Sequence, residues 1–247
     1  MTSKSTTIKQ FYGIVRWSLI RHKYLLPAFS LVQVILALAV VYGLALLTPE
    51  IDGELATYLS SGAISLGIIA VGCVLAPQIA SNTKQNGIFE YQRVLPVPRI
   101  LIFLGDVIIW SLASLPGVLM GFIASSLRFD LTVDVGLLGI LAIILIQVTM
   151  ISIGFAIAYW LTPNTVSMVT QLIMIGSLLF SPITYPAERL PEWSTYLYNA
   201  LPFVPASNMI RYFFFSGNAV SMMNLVVVIL WMLVSSLLAV MALSRKG

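Results

Sequence analysis

Asp106 is the only carboxylate that falls inside a long apolar run of this sequence. An acid at that depth can hold a cation, relay a proton or pair with a base. It stands seven residues after Arg99, which places it near headgroup level. Pairing with Arg99 or Arg93 is the favoured reading, and a role in transport the competing one. A proton-coupled carrier needs more buried carboxylates than this. The single histidine, His22, lies between Arg21 and Lys23 at the edge of the first apolar run and reads as an interfacial side chain. It has no second ligand with which to build a metal site, and no Ser-His-Asp set can form at membrane depth. Cys73 is the only cysteine, so no disulfide forms within the chain; its apolar neighbours read as packing. The phosphate-cradling G-x-x-x-x-G-K-[ST] is absent, so the chain itself is expected to bind neither ATP nor any other cofactor.

The elements that position these groups follow from composition. Of 247 residues, 59% are hydrophobic and 9% charged, with a net charge of +4. Soluble domains carry about 25% charged residues, so the bilayer is the natural solvent. Basic residues are too scattered for a nucleic-acid surface. Continuous apolar runs at 25–47, 58–79, 100–123, 135–161, 166–185 and 225–243 are each long enough to cross the hydrocarbon core as helices. The expected fold is one all-α membrane domain, 1–247, with six transmembrane helices. Residues 1–24 carry Ile8, Phe11, Tyr12, Val15 and Leu19 at helical spacing, with Lys4, Lys9 and Arg16 elsewhere. That pattern predicts an amphipathic helix in the membrane interface rather than a secretory signal. Ten Lys and Arg fall on one side of the spans and three on the other, which predicts that both termini are cytoplasmic.

Two segments break the apolar pattern. Residues 84–99 form an amphipathic island. Asn86 is read as its cap, Glu90 lies in its first turn and Arg93 in its last. Ile88, Tyr91 and Leu95 share one face, and Pro96 and Pro98 stop the helix. Residues 186–212 are too aromatic for a wet loop and too rich in proline for a span. Short helices dipping into the outer interface are expected there. Gly117 and Gly121 form a G-x-x-x-G, read as close packing within the chain.

Read together, the two segments resemble ABC-2 type transporter permeases. Gly87, Glu90 and Leu95-Pro96-Val97-Pro98-Arg99 match that family's loop into the third helix. Pro186, Leu190-Pro191 and Trp193, with Arg211 further on, match its stretch before the last helix. Thr83-Lys84-Gln85-Asn86 stands where the family often has an Arg-Glu pair. The resemblance implies a non-catalytic permease subunit of an ABC exporter in the cell membrane, a bacterial plasma membrane being expected. ATP and Mg would be handled by a separate nucleotide-binding ATPase, and a second permease would complete a homodimer or heterodimer. It also implies that Gly87, Ile88, Glu90, Tyr91, Arg93, Leu95 and Pro96 form a coupling helix on the ATPase. Pro186, Leu190, Pro191, Trp193 and Arg211 would form an outer gate. The cargo would be hydrophobic or amphiphilic: a drug, lipid-like product, peptide or glycan. An ion-coupled carrier and a non-transporting assembly or immunity subunit are the alternatives.

Overall fold

Backbone groups that cannot reach water must bond within their own segment, and the described residues meet that demand with helices. The computed structural model describes residues 2–47, 51–88, 92, 94–187, 190–191, 194–215 and 221–244. In chain order the helices are α1 (Thr2–His22), α2 (Leu25–Leu44), α3 (Gly53–Gln85), α4 (Arg99–Phe129), α5 (Leu137–Trp160), α6 (Pro163–Leu179), α7 (Ser194–Ala200), α8 (Phe203–Phe215) and α9 (Met222–Ser244). No strand occurs among the described residues. Two π-helical stretches interrupt the α pattern, Ala39–Leu44 in α2 and Ala70–Leu75 in α3.

Among the described residues five helices, α2 to α5 and α9, are long and apolar enough to cross a membrane. The run at 166–185 departs from expectation. Its helix starts earlier, at Pro163 on the first turn, and ends at Leu179 after 17 residues, about 25 Å at 1.5 Å per residue. Phe180 to Tyr185 are turns and bends. Pro182 cannot donate to a helix and its ring obstructs the preceding turn, so the apolar run outlasts the helix. The second span departs the other way. It was expected at 58–79, yet α3 runs through Glu54 and Lys84. Asp52 caps it by accepting the Leu55 N–H at 2.7 Å.

α3 is the hub. Of its most apolar stretch 89% is buried, against 22% for α2 and for α9, so those two stand on the perimeter. In lipid, helices gain little from hiding apolar area, and close packing through small residues takes its place. α3 and α5 cross where Gly72 meets Gly154: a Cβ on Gly154 would overlap the Gly72 carbonyl. Cys73 packs there, its Sγ 3.3 Å from the Met150 carbonyl. α5 and α9 lie side by side, joined by Ser236 to Ser152 at 3.0 Å and by Trp160 donating to the Leu238 carbonyl at 2.9 Å. The G-x-x-x-G of α4 is used within the chain: Gly117 receives Gln33 of α2 and Gly121 receives Ile64 of α3.

Candidate coupling site and outer cap

α1 lies against the start of α4. Ile14 packs on Gly105, and a Cβ there would come within 2.8 Å of it. One turn on, Ser18 donates to Asp106 Oδ1 at 2.9 Å, and Arg21 pairs with the same oxygen at 3.4 Å. The expected partner of Asp106 is thereby corrected. Arg99 bonds the Gln92 carbonyl at 3.1 Å instead, and Arg93 lies outside the described residues. Asp106 points from α4 towards α1, whose Ser18 and Arg21 lie three residues apart on one face. His22 is buried against protein, its Nδ1–H donating to the Ser18 carbonyl at 2.9 Å and its ring 5.5 Å from that of Trp110. Burial first, then the Arg21 cation, lowers its pKa to about 4, against a smaller opposing pull from the Ser18 carbonyl. Arg21 also lies 4.5 Å over the Trp17 ring, and its Nε and Nη1 have no protein partner. A void of about 10 Å³ adjoins Arg21, Thr83, Gln92, Asp106 and Tyr159, the size of one water.

The island enters this cluster. Asn86, expected to start a new helix, instead closes α3, its N–H bonding the Asn82 carbonyl at 3.1 Å. Gly87 follows at φ +73°, a left-handed turn that glycine adopts without strain. Ile88, Gln92 and Val94 have helical backbone; Glu90, Tyr91 and Arg93 lie outside the described residues. Gln92 is buried and Val94 exposed, so the segment has an inner and an outer face. Leu95 is half-buried, Pro96 is exposed, and Pro98 precedes the first turn of α4. Gln10 of α1 donates to the Pro96 carbonyl at 3.3 Å, and Lys84 to the Tyr159 carbonyl at 3.2 Å. Island, α1, α3, α4 and α5 thus meet at one polar end.

At the opposite end Arg211 of α8 gathers the cap. It donates to Ser61 of α3 at 3.1 Å, to Asn208 at 2.8 Å and to the Ile183 carbonyl at 3.2 Å. Its guanidinium lies 3.6 Å over the Tyr58 ring. Burial lowers its pKa to about 10, with Tyr58 and Glu54 opposing, so it stays charged at neutral pH. Gly62 lets the turn at Ile183-Thr184 press onto α3, since a Cβ there would meet Thr184 Cγ2 at 2.6 Å. Leu190 lines a groove of about 550 Å³ with Leu44, Leu55, Leu59 and Leu179. Pro186 is half-buried and Pro191 exposed at the surface of the cap; Trp193 lies outside the described residues. α9 ties in through Trp231, which donates to the Ala200 carbonyl at 2.9 Å.

Neither end gathers three His, Cys, Asp or Glu that could hold a metal, among the described residues. The side chains present can position, seal and transmit. Sequence reasoning missed Arg21 and Ser18 as partners of Asp106, although their spacing with His22 on α1 was a readable signal. It also missed Gln33, fully buried against Gly117 with neither amide atom partnered.

A family model described as ABC-2 type transporter matches residues 13–215. That stretch takes in α1 from Gly13 onward, the polar end, the island and the cap through the last residue of α8. No curated protein matches the chain.

Proposed function

The chain belongs to the ABC-2 type transporter family, and from that premise we propose that it is the permease subunit of an ATP-driven exporter. A separate nucleotide-binding subunit binds ATP and Mg and hydrolyses the nucleotide, and a second permease, identical or not, completes the path. Six spans cross the cell membrane, α6 being the short fifth, with both termini cytoplasmic and α1 along the inner interface. The observation that carries the reading is the attachment of the island to the bundle. Arg99 holds the Gln92 carbonyl, α1 holds the Pro96 carbonyl, and Gln92 is buried beside Asp106 and Arg21. A push on the exposed face of the island therefore reaches α1 and α4 together. Gly87, Ile88, Glu90, Tyr91, Arg93, Leu95 and Pro96 form the coupling segment. Pro186, Leu190, Pro191, Trp193 and Arg211 close the outer end. The cargo is hydrophobic or amphiphilic. Asp106 serves as a fastening between α1 and α4, since its Oδ1 already takes Ser18 and Arg21; this weighs against an ion-coupled carrier.

Tyr91→Ala with Leu95→Ala tests the coupling role in the complex of permease and ATPase. Expression and membrane insertion should stay at wild-type levels, while ATPase retention on copurification falls about tenfold, a loss of about 1.4 kcal/mol of docking. Retention and transport at wild-type levels would reduce the island to a surface loop.

A further inference from the structure

We propose that the exposed face of α1 binds the headgroups of anionic phospholipids in the inner leaflet. The proposal rests on the placement of α1 along the inner interface and adds which lipid that helix selects. α1 has two faces. Ile14, Ser18 and His22 are buried and turned to Gly105, Asp106 and Trp110 of α4. Lys9 and Arg16 are exposed and stand seven residues apart, close to two full turns, so they share the opposite side. Lys23, in the turn after the helix and also exposed, continues the row after another seven residues. The row covers about 21 Å at 1.5 Å per residue. Exposed Ile8, Tyr12 and Leu19 run beside it as an apolar strip.

Pairing separates this row from the other bases of the same end. Arg21 pairs with Asp106, Lys84 donates to the Tyr159 carbonyl and Arg99 to the Gln92 carbonyl. Lys9, Arg16 and Lys23 make no ion pair among the described residues, and no acid precedes Glu50 in the sequence. Depth follows from the spans. The 20 residues of α2, Leu25–Leu44, rise about 30 Å, the thickness of the hydrocarbon core. Lys23, two residues before Leu25, therefore lies among headgroups. Its Nζ sits 4.6 Å over the ring of exposed Tyr24, an aromatic at the depth such rings prefer. The other end of the row is fixed by Gln10, which donates to the Pro96 carbonyl just ahead of α4.

An anionic leaflet satisfies both strips at once. Its phosphates take the unpaired cations, and the glycerol and first methylenes beneath take Ile8, Tyr12 and Leu19. A zwitterionic headgroup brings a cation of its own against the row and loses much of that attraction. An acidic protein surface would also satisfy the cations, but it would have to reach Lys23 at the very edge of the hydrocarbon.

The test uses the full chain in vesicles of phosphatidylcholine and phosphatidylglycerol in equal parts. In parallel samples a trace of one or the other lipid carries a diazirine near its glycerol. Peptide mapping after illumination gives the ratio of phosphatidylglycerol to phosphatidylcholine label at each site. At Tyr12 and Leu19 that ratio should exceed the ratio at exposed Met222 and Met223 of α9 about tenfold, or about 1.4 kcal/mol. Salt at about 1 M, where the screening length is about 3 Å, should erase most of the excess. So should Lys9→Gln with Arg16→Gln and Lys23→Gln, whereas Lys9→Arg with Lys23→Arg should keep it. The wild-type ratio at low and high salt decides even if the triple variant fails to insert. Equal ratios at α1 and α9 would leave α1 in the interface without lipid choice and overturn the proposal. A preference that survives the triple variant would overturn it by placing the site elsewhere. No label on α1 from either lipid would remove α1 from the interface altogether. Carbodiimide bonds from Lys9 or Lys23 to a copurifying ATPase, with loss of the lipid label, would overturn the proposal in favour of a protein contact.

Discussion

Asp106 faces a base that precedes it by 85 residues, and this long reach is why the pair was invisible to a reading based on neighbours along the chain. Burying two charges costs solvation, and removing one partner leaves the other without compensation. Asp106→Asn should therefore lower the unfolding free energy by about 3 kcal/mol, whereas Asp106→Leu with Arg21→Met should recover most of that loss. Thermal melts in detergent of the wild type, Asp106→Leu, Arg21→Met and their double variant supply the cycle; strictly additive effects would show that the pair is not coupled. His22 carries its own signature. An unfolded histidine titrates near 6.5, and the folded one near 4. Between those values the unfolded chain binds a proton that the folded chain refuses, so stability must fall as pH drops through that window. Above it the contribution is complete. His22→Gln should melt with a shallower pH dependence from 6.5 down to 4; identical slopes would show that His22 titrates normally.

The helices themselves were legible, because continuous apolar runs have few options in lipid. Their ends were not. The hydropathy of 166–185 does not register that Pro182 ends the helical path, and it stops short of Lys84 although α3 continues there. Asn86 was ambiguous for a different reason: asparagine suits either end of a helix, and only the positive φ of Gly87 decides for the closing of α3. Crossing points were also hidden, since a glycine in an apolar run looks the same whether it meets lipid or backbone. Gly154 is where this matters. A methyl there must displace the Gly72 carbonyl, and backbone yields poorly. Gly154→Ala should cost about 1–3 kcal/mol, in the range of overpacking, and should lower the yield of monodisperse protein. Gly176, with open space around its Cβ position, gives the control: Gly176→Ala should leave the melt unchanged. Equal behaviour of the two variants would show that the α3–α5 crossing is loose.

For the molecule as a whole, the imbalance of basic residues gives an orientation that single-cysteine labelling can read. In a Cys73→Ala background, Gln85→Cys should be protected from an impermeant thiol reagent in intact cells and Ser221→Cys should react. The reverse pattern would invert the topology. The family and the membrane character followed from sequence; the joining of α1, the island and α4 into one polar end needed the fold, because its members lie far apart in the chain. The length of α3 has a mechanical consequence. Its 33 residues span about 50 Å, well beyond a hydrocarbon core of about 30 Å. Its tightest crossing, at Gly72, divides it into about 28 Å towards Gly53 and about 20 Å towards Gln85. Pivoting there as a stiff rod, α3 is a lever with unequal arms. Each ångström of travel beside the island swings the Gly53 end by about 1.5 Å, so the short arm takes the force and the long arm gains the stroke.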